Sequence, residues 1–187
     1  MPTLVTERLR LVSMTLDMIE GVMKRDRAAA EAALDAELRR SGVHGDACAR
    51  FPDQWPNEEL IARAFPFSLD AIRADPDTRL WGDSLVLPLD GPPRVVGSVV
   101  FKGRPADGIA EVGYGIEDGS RSLGLATEAT RACVEWALEQ PGIQAVHATT
   151  FPWHVASLAV IRKVGMIQCD TREHDVFGEL LVFERRR

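Results

Sequence analysis

The stretch SRSLGLATEAT, residues 120–130, joins a loop to a predicted helix and has the chemistry of an anion-binding site. The first four N–H groups of a helix have no partner within it, and the helix dipole adds about half a positive charge there. Gly124 lets a ligand approach the backbone, Ala126 is nearly as small, and Arg121 supplies a planar cation. The stretch therefore favours phosphate or pyrophosphate, the alternative being a plain turn glycine beside a solvated arginine.

Two other phosphate-binding loops are excluded because residues that they need are missing. No Gly-Lys-Ser/Thr follows Gly124, so a nucleoside triphosphate loop is not indicated. The near match Gly113-Tyr114-Gly115 has Asp118 where the third glycine of a dinucleotide fingerprint would stand. The anion site is therefore of a different kind.

Period and composition predict the elements that position this stretch. Residues 4–12 alternate as a strand, and Thr15 is placed to cap the helix that follows. Residues 28–40 are strong helix formers. A further helical pattern covers residues 57–74, and Pro66 must bend or interrupt it. The period then changes to that of strands at 80–89, 94–103 and 109–117, which tight turns join into an antiparallel meander.

The second half of the chain predicts a crossover unit. After the quoted stretch comes a helix that Pro141-Gly142 ends, with apolar positions every three or four residues at Leu125, Ala129, Ala132, Cys133, Trp136 and Ala137. A strand at 143–151, a helix at 155–165 and strands at 166–171 and 180–186 follow. The pattern predicts a mixed α/β (α+β) fold in which one βαβ unit joins a mostly antiparallel sheet.

Composition limits the classes of protein and partner. The 187 residues, 45% of them hydrophobic, predict one domain over 1–187. A formal charge of −6 disfavours nucleic acid as a partner. No apolar run approaches a membrane span, and residues 1–12 lack a basic region followed by an apolar core, so we expect a cytoplasmic protein.

Cysteine and histidine spacing predicts no metal. Cys48, Cys133 and Cys169 are odd in number and far apart, and we expect reduced, mostly buried thiols. The four histidines lack the HExxH spacing that places two imidazoles on one helical face.

Four motifs in order resemble the GNAT superfamily of N-acetyltransferases. Residues 121–126 (RSLGLA) match its R/Q-x-x-G-x-G/A loop, and residues 154–157 (HVAS) with 163–166 (KVGM) are similar to its N-x-x-S…K-x-G-F segment. Residues 111–114 (EVGY) and 6–11 (TERLRL) resemble two strands of the branch that includes ribosomal-protein N-terminal acetyltransferases.

The resemblance implies a single-domain GNAT fold with a central, splayed parallel strand pair, and acetyl-coenzyme A as co-substrate without a metal. The pyrophosphate would lie on the amides of Ser122, Leu123, Gly124, Leu125, Ala126 and Thr127, with Arg121 at the rim. The pantetheine arm would follow Tyr114, Gly115 and Ile116, and His154, Ser157 and Lys163 would complete the coenzyme site. The acceptor would be a primary amine, either a protein N-terminus or a small molecule, and a homodimer is compatible with the family.

Direct acetyl transfer to an amine needs a base, an oxyanion donor and a proton for the thiolate. We assign Glu111 as the base and Ser157 as the proton donor; the alternatives are a solvated carboxylate and a helix-capping hydroxyl. His154 stands where the family has asparagine. Its imidazole either replaces the amide as a hydrogen-bond donor, carries a proton near neutral pH, or is a surface side chain beside Trp153. Glu128 is interpreted as a favourable charge near the helix dipole.

Three further expectations complete the interpretation. Ser122 replaces a common loop glycine and is tolerated if its φ is negative. Aromatic residues line the acceptor cleft or pack in the interior, namely Trp55, Phe65, Phe67 and Trp81. The alternative functions are a catalytically inactive coenzyme A-binding sensor or interaction module, and transfer of a longer acyl chain.

Overall fold

An eight-stranded sheet with flanking helices forms the molecule in a computed structural model, which describes residues 3–43, 47–53, 62 and 65–187. The strands are β1 Leu4–Val5, β2 Leu9–Ser13, β3 Asp83–Pro88, β4 Gly97–Phe101, β5 Ile109–Ile116, β6 Ala145–Thr150, β7 Ile167–His174 and β8 Gly178–Arg186. The helices are α1 Leu16–Met23, α2 Arg27–Arg40, α3 Phe65–Ala74, α4 Leu125–Glu139 and α5 Val155–Val164, with 3₁₀ turns at Pro76–Trp81 and Asp118–Ser120.

The sheet confirms the predicted fold class. Its strand order is β1-β2-β3-β4-β5-β6-β8-β7. The pair β5–β6 is parallel, and the other neighbouring pairs are antiparallel. Helix α4 is the crossover between β5 and β6, as the pattern predicted.

Side-chain caps define the first two helices. Thr15 accepts a hydrogen bond from the Met18 N–H at 3.3 Å and begins α1, as predicted. The Asp26 carboxylate accepts one from the Ala29 N–H at 3.0 Å and begins α2, so the early helical region is two helices. Pro66 is the second residue of α3, where its missing N–H costs little because the first N–H groups of a helix have no partner within it. Much of the helical pattern predicted before it lies outside the described residues.

The predicted single strand over residues 4–12 is wrong, because the chain turns back at residues 6–9. The Thr6 N–H donates to the Leu9 carbonyl at 2.9 Å, and the Thr6 hydroxyl accepts from the Leu9 N–H at 3.0 Å. Leu4 then pairs with Leu11 across an antiparallel hairpin. The turn contains neither glycine nor proline, so its composition gave no signal.

Two apolar clusters pack against opposite faces of the sheet. One joins residues of α1, α2 and α3 to Leu85 and Leu87 of β3. The other joins α4 and α5 to alternate residues of the central strands, among them Val99, Phe101 and Val112. The side of β5 that carries Val112 therefore faces the interior, and the side that carries Glu111 faces away from α4 and α5.

The structure decides between the two alternatives for two of the four aromatic residues. Phe65 and Trp81 are buried, and the Trp81 ring lies 5.3 Å from Phe101, so these two pack rather than line a cleft. Phe67 is exposed, and Trp55 lies outside the described residues.

The thiols are less buried than expected. Of the three cysteines only Cys133 is buried, where burial raises its pKa to about 12, while Cys48 and Cys169 are exposed.

No described helix is long and apolar enough to cross a bilayer.

Gly97 allows β4 to approach β5 closely, which gives a testable constraint on the fold. A Cβ at this position would lie 2.1 Å from the Gly115 carbonyl oxygen, so Gly97→Ala must displace β5. We expect it to lower the free energy of unfolding by about 1–3 kcal/mol in urea titrations. Gly119→Ala is the control, because its Cβ meets no atom within 4 Å; equal stability of the two variants would contradict the proposed close contact.

Candidate functional site

The parallel strands β5 and β6 separate partway along their length. Their pairing joins Ile109 to Ala145, Ala110 to Val146 and Glu111 to His147. Beyond these pairs β5 continues to Ile116 and β6 to Thr150, still bonded to β4 and β8 on their outer sides. The result is a cleft in the middle of the sheet, as the family resemblance implied.

The direction of the backbone decides which amides line this cleft. The Lys102 N–H donates to the Glu111 carbonyl, and the Glu117 N–H donates to the Val96 carbonyl. Because the backbone groups of successive residues point to opposite sides of a strand, the odd-numbered residues from 111 to 117 bond to β4. Tyr114 and Ile116 then direct their N–H groups toward β6 and the cleft. The Gly115 amide, which we had grouped with them, faces β4 instead.

The loop before α4 is held open in a left-handed conformation at two residues. Gly124 is the N-cap of α4 with φ +82°, and as a glycine it makes no side-chain cap to the helix N–H groups. Ser122 has φ +64°, so the condition under which serine is tolerated without strain, a negative φ, is not met. The positive φ is a physical reason for a glycine at this position, and serine adopts it at a cost of about 1 kcal/mol.

A polar anchor that sequence analysis missed ties this loop to the first hairpin. Glu128 accepts hydrogen bonds from the Thr6 hydroxyl at 2.6 Å, the Arg8 N–H at 2.9 Å and the Arg8 Nε at 2.7 Å. The Arg8 Nη1 also donates to the Leu123 carbonyl at 3.0 Å. Although burial raises the pKa of Glu128, these donors hold it below its usual value.

Glu128 is therefore an anchor as well as a charge near the helix dipole. Arg8 brings a cation to the loop from 120 residues away in the sequence, which no local pattern could indicate.

Two predicted cations stand at the edges of the site. Arg121 is exposed, pairs with Asp118 at 2.8 Å and donates to the Ile116 carbonyl at 3.2 Å, which places it where β5 ends. Lys163 is exposed in the last turn of α5, and its carbonyl accepts from the Arg131 Nη2 at 2.5 Å. Arg121 thus lies beside the cleft, and Lys163 lies at the far end of α5.

Tyr114 and Ser157 meet across the cleft. The Tyr114 hydroxyl donates to the Ser157 carbonyl and lies 3.0 Å from the Ser157 Oγ, which can donate to it in return. Ser157 does not cap α5, so the capping alternative is wrong. Burial raises the pKa of the Tyr114 phenol, which therefore carries its proton at neutral pH.

His154 is the N-cap residue of α5 but does not cap it with its side chain. The imidazole is exposed and stacks on Trp153 with a centroid distance of 5.9 Å. Its surroundings match the third alternative, a surface residue beside Trp153.

Glu111 lies on the sheet face opposite α4 and α5. Its carboxylate pairs with the Lys102 ammonium and accepts from the Thr149 hydroxyl at 3.0 Å. Burial raises the pKa of Glu111, but Lys102 and Thr149 outweigh it and hold the pKa below its usual value. Glu111 is therefore ionised at neutral pH.

Asp83 is a second carboxylate on this face that sequence analysis missed. Cross-strand pairing aligns Asp83 with Val100 of β4 and, one strand further, with Gly113 of β5, which is two residues from Glu111 on the same face. Burial alone raises the pKa of Asp83 from 3.8 to about 6. An aspartate at the start of a strand gave no signal, because only strand register places Asp83 on this face, in line with Gly113 across β4.

A cavity of about 460 Å³ lies elsewhere in the molecule. Its lining includes Asp35 and Arg39 of α2, Arg10 of β2 and Gly91 in the β3–β4 turn, and none of the predicted site residues.

Comparison with known proteins gives the class to which this fold and site belong. Residues 19–167 match the family model described as an acetyltransferase (GNAT) domain. The uncharacterised N-acetyltransferase YjdG of Bacillus subtilis (strain 168) is 23% identical over 168 residues, which cover 89% of this chain and 90% of the relative. The chain therefore belongs to the GNAT family of acetyltransferases, enzymes that use acetyl-coenzyme A as acyl donor.

Solved structures share the fold over the full chain. A GNAT-family acetyltransferase from Bordetella pertussis superposes with a TM-score of 0.65 at 18% identity, covering 98% of both chains. The ribosomal L7/L12 alpha-N-protein acetyltransferase RimL, solved in complex with coenzyme A, superposes with a TM-score of 0.62 at 12% identity, covering 98% of this chain and 97% of that one. The family resemblance found in the four motifs is confirmed by the family model.

The raised pKa of Asp83 predicts a pH-dependent effect on stability. A carboxyl whose pKa rises on folding stabilises the protein below its usual pKa of 3.8, and this contribution is lost as the pH rises through about 6. From pH 4.5 to pH 7.5 the wild type should lose about 2 kcal/mol of unfolding free energy that Asp83→Asn does not lose. The stability difference between the two proteins should therefore shift by this amount in favour of the variant.

Urea titrations at the two pH values measure this difference. Asp70→Asn, at an exposed position of α3, is the control and should track the wild type. If Asp83→Asn and the wild type respond to pH alike, then Asp83 is not desolvated.

Proposed function

We propose that this protein transfers the acetyl group of acetyl-coenzyme A directly to a primary amine in a ternary complex. The observation that carries the proposal is that the cleft between β5 and β6 adjoins the uncovered N-terminus of α4. One extended ligand with an anionic centre and a long thin arm would fit both. A thioester carbonyl at the end of that arm supplies the acetyl group.

The residues present fit this coenzyme. Amides of Ser122, Leu123, Gly124, Leu125, Ala126 and Thr127 would bind the pyrophosphate at the start of α4, with Arg121 beside them. Tyr114 and Ile116 would bind the arm and polarise the thioester carbonyl through the N–H groups that they direct into the cleft. Ser157 would contact the arm from α5, with His154 and Lys163 at the two ends of that helix.

The chemistry needs two proton transfers. The amine nitrogen attacks the acetyl carbon, and Glu111 accepts the amine proton directly or through water. The carbon–sulfur bond breaks, and the thiolate takes the proton of the Ser157 hydroxyl, which solvent restores after the thiol leaves. The Tyr114 phenol keeps its proton on the Ser157 carbonyl and positions the serine. No covalent enzyme intermediate is required.

The acceptor face supports an amine. Glu111 and Asp83 lie on the same side of the sheet, and the Lys102 ammonium balances only one of the two carboxylates, so their joint charge still favours the approach of a cationic group. RimL, by its description, acts on the N-terminus of ribosomal L7/L12. By this likeness the acceptor is either a protein N-terminus or a small amine.

Substitutions at Ser122 test the coenzyme site with little change in shape. Asp and Asn are nearly isosteric, and both tolerate the positive φ found there. Ser122→Asp adds a negative charge beside the pyrophosphate, so calorimetric titration should show about tenfold weaker binding of acetyl-coenzyme A. Ser122→Asn should bind nearly as the wild type does. Equal affinities of the two variants would reject the assigned loop.

Glu111→Gln tests the base. We expect kcat to fall by about 100-fold with unchanged coenzyme affinity, because the amine loses its proton acceptor while the cleft stays intact. Glu139→Gln, at the exposed end of α4, is the control. Thiol release in the presence of an amine is measured, and a wild-type kcat would assign proton removal to solvent. An intact protein that binds the coenzyme but releases no thiol with any amine would support the inactive binding module instead.

A further inference from the structure

Three side chains with metal-binding atoms converge on the strands beyond the cleft. The His147 imidazole, the Cys169 Sγ and a Glu184 carboxylate oxygen all lie within 4.8 Å of one another. They belong to β6, β7 and β8 and are remote from the α4 loop. Their distance in sequence explains why spacing predicted no metal, and the structure now shows three ligand types together.

Strand register builds this cluster. His147 pairs directly with Glu184 across the β6–β8 ladder, so the two side chains lie on the same face. The β7–β8 register shifts between Gln168 and Asp170, which makes Cys169 the extra residue of a bulge. A bulge redirects a side chain, and here the Cys169 sulfur reaches the other two groups.

The distance between the His147 and Glu184 ligand atoms suits one small cation. The His147 Nε2 lies 3.6 Å from the Glu184 Oε2. Two ligands about 2.0–2.2 Å from a tetrahedral zinc ion are about 3.4 Å apart, so an ion fits between these atoms with little movement. The Arg186 Nε donates to the other oxygen, Oε1, at 2.9 Å, which orients the carboxylate and leaves Oε2 free for the ion.

We propose that His147, Cys169 and Glu184 bind a zinc ion, with water in the fourth position. Imidazole, thiolate and carboxylate are all zinc ligands, and three protein ligands with one open position are typical of a non-structural site. Binding releases the Cys169 proton to solvent, and the thiolate and carboxylate then balance the charge of the ion. The positive charge of the Arg186 guanidinium weakens binding of the ion, and the negative charge of the Asp170 carboxylate strengthens it.

The site adjoins the proposed acceptor face. His147 pairs with Glu111 across β5–β6, at the last pair before the strands separate. An ion there would fasten the β7–β8 hairpin to β6 and place a cation close to the Glu111 carboxylate. Bound zinc is therefore expected to slow amine transfer, although the metal site itself does not depend on the proposed activity.

The first experiment titrates the full-length, metal-free protein with Zn²⁺ in competition with a chelating dye. We expect one ion per chain, and at least about 100-fold weaker binding in both Cys169→Ser and His147→Gln. Cys48→Ser is the matched control, because it removes another exposed thiol and should leave the affinity unchanged. Co²⁺ serves as a spectroscopic probe, whose thiolate charge-transfer band should vanish in Cys169→Ser and remain in Cys48→Ser.

Thermal unfolding gives a second measurement that does not need enzyme activity. Zinc should raise the Tm of the wild type and of Cys48→Ser but not of Cys169→Ser, whose metal-free Tm shows whether it folds. Failure of the wild type to bind zinc, or unchanged affinity in Cys169→Ser, would overturn the proposal. An equal loss of zinc affinity in Cys48→Ser would also overturn the proposal, because the ion would then bind exposed thiols without selectivity.

Discussion

The central constraint in this structure is that the parallel pairing of β5 and β6 ends at Glu111 and His147. Main-chain groups on a buried strand need partners, and β5 keeps them only on the β4 side beyond this point. Gly97 allows β4 to hold β5 closely there. The amides of Tyr114 and Ile116 are consequently available in the middle of an otherwise continuous sheet.

The helix that follows β5 turns this opening into a site for an extended ligand. Its N-terminus has no side-chain cap because the N-cap residue is Gly124, which, like Ser122, takes a positive φ. Such a loop needs support from outside, and the hydrogen bonds of Glu128 with Thr6 and Arg8 attach it to the first hairpin. The loop is thus held by residues distant in sequence, which fixes its N–H groups before any ligand arrives.

The two apolar clusters divide the sheet into different environments. Helices α4 and α5 cover one face of the central strands, whereas α1, α2 and α3 pack near β3 on the other. On that second face the polar side chains of β5 and β6 remain partly exposed, including Glu111, His147 and Thr149. Acidic and metal-binding chemistry therefore gathers on one side of the cleft, while Tyr114 and Ser157 meet on the other.

The sequence by itself determined the fold class, the crossover helix and the family, because these depend on local period, caps and short motifs. It placed Gly124 and Arg121 at the start of α4 and Cys133 in the core. It did not determine the turn at residues 6–9, the φ of Ser122 or the burial of Trp81. Only the tertiary structure brought Arg8 to Glu128, Asp83 into line with Gly113, and Cys169 to His147, since strand register and packing join residues that no local pattern connects.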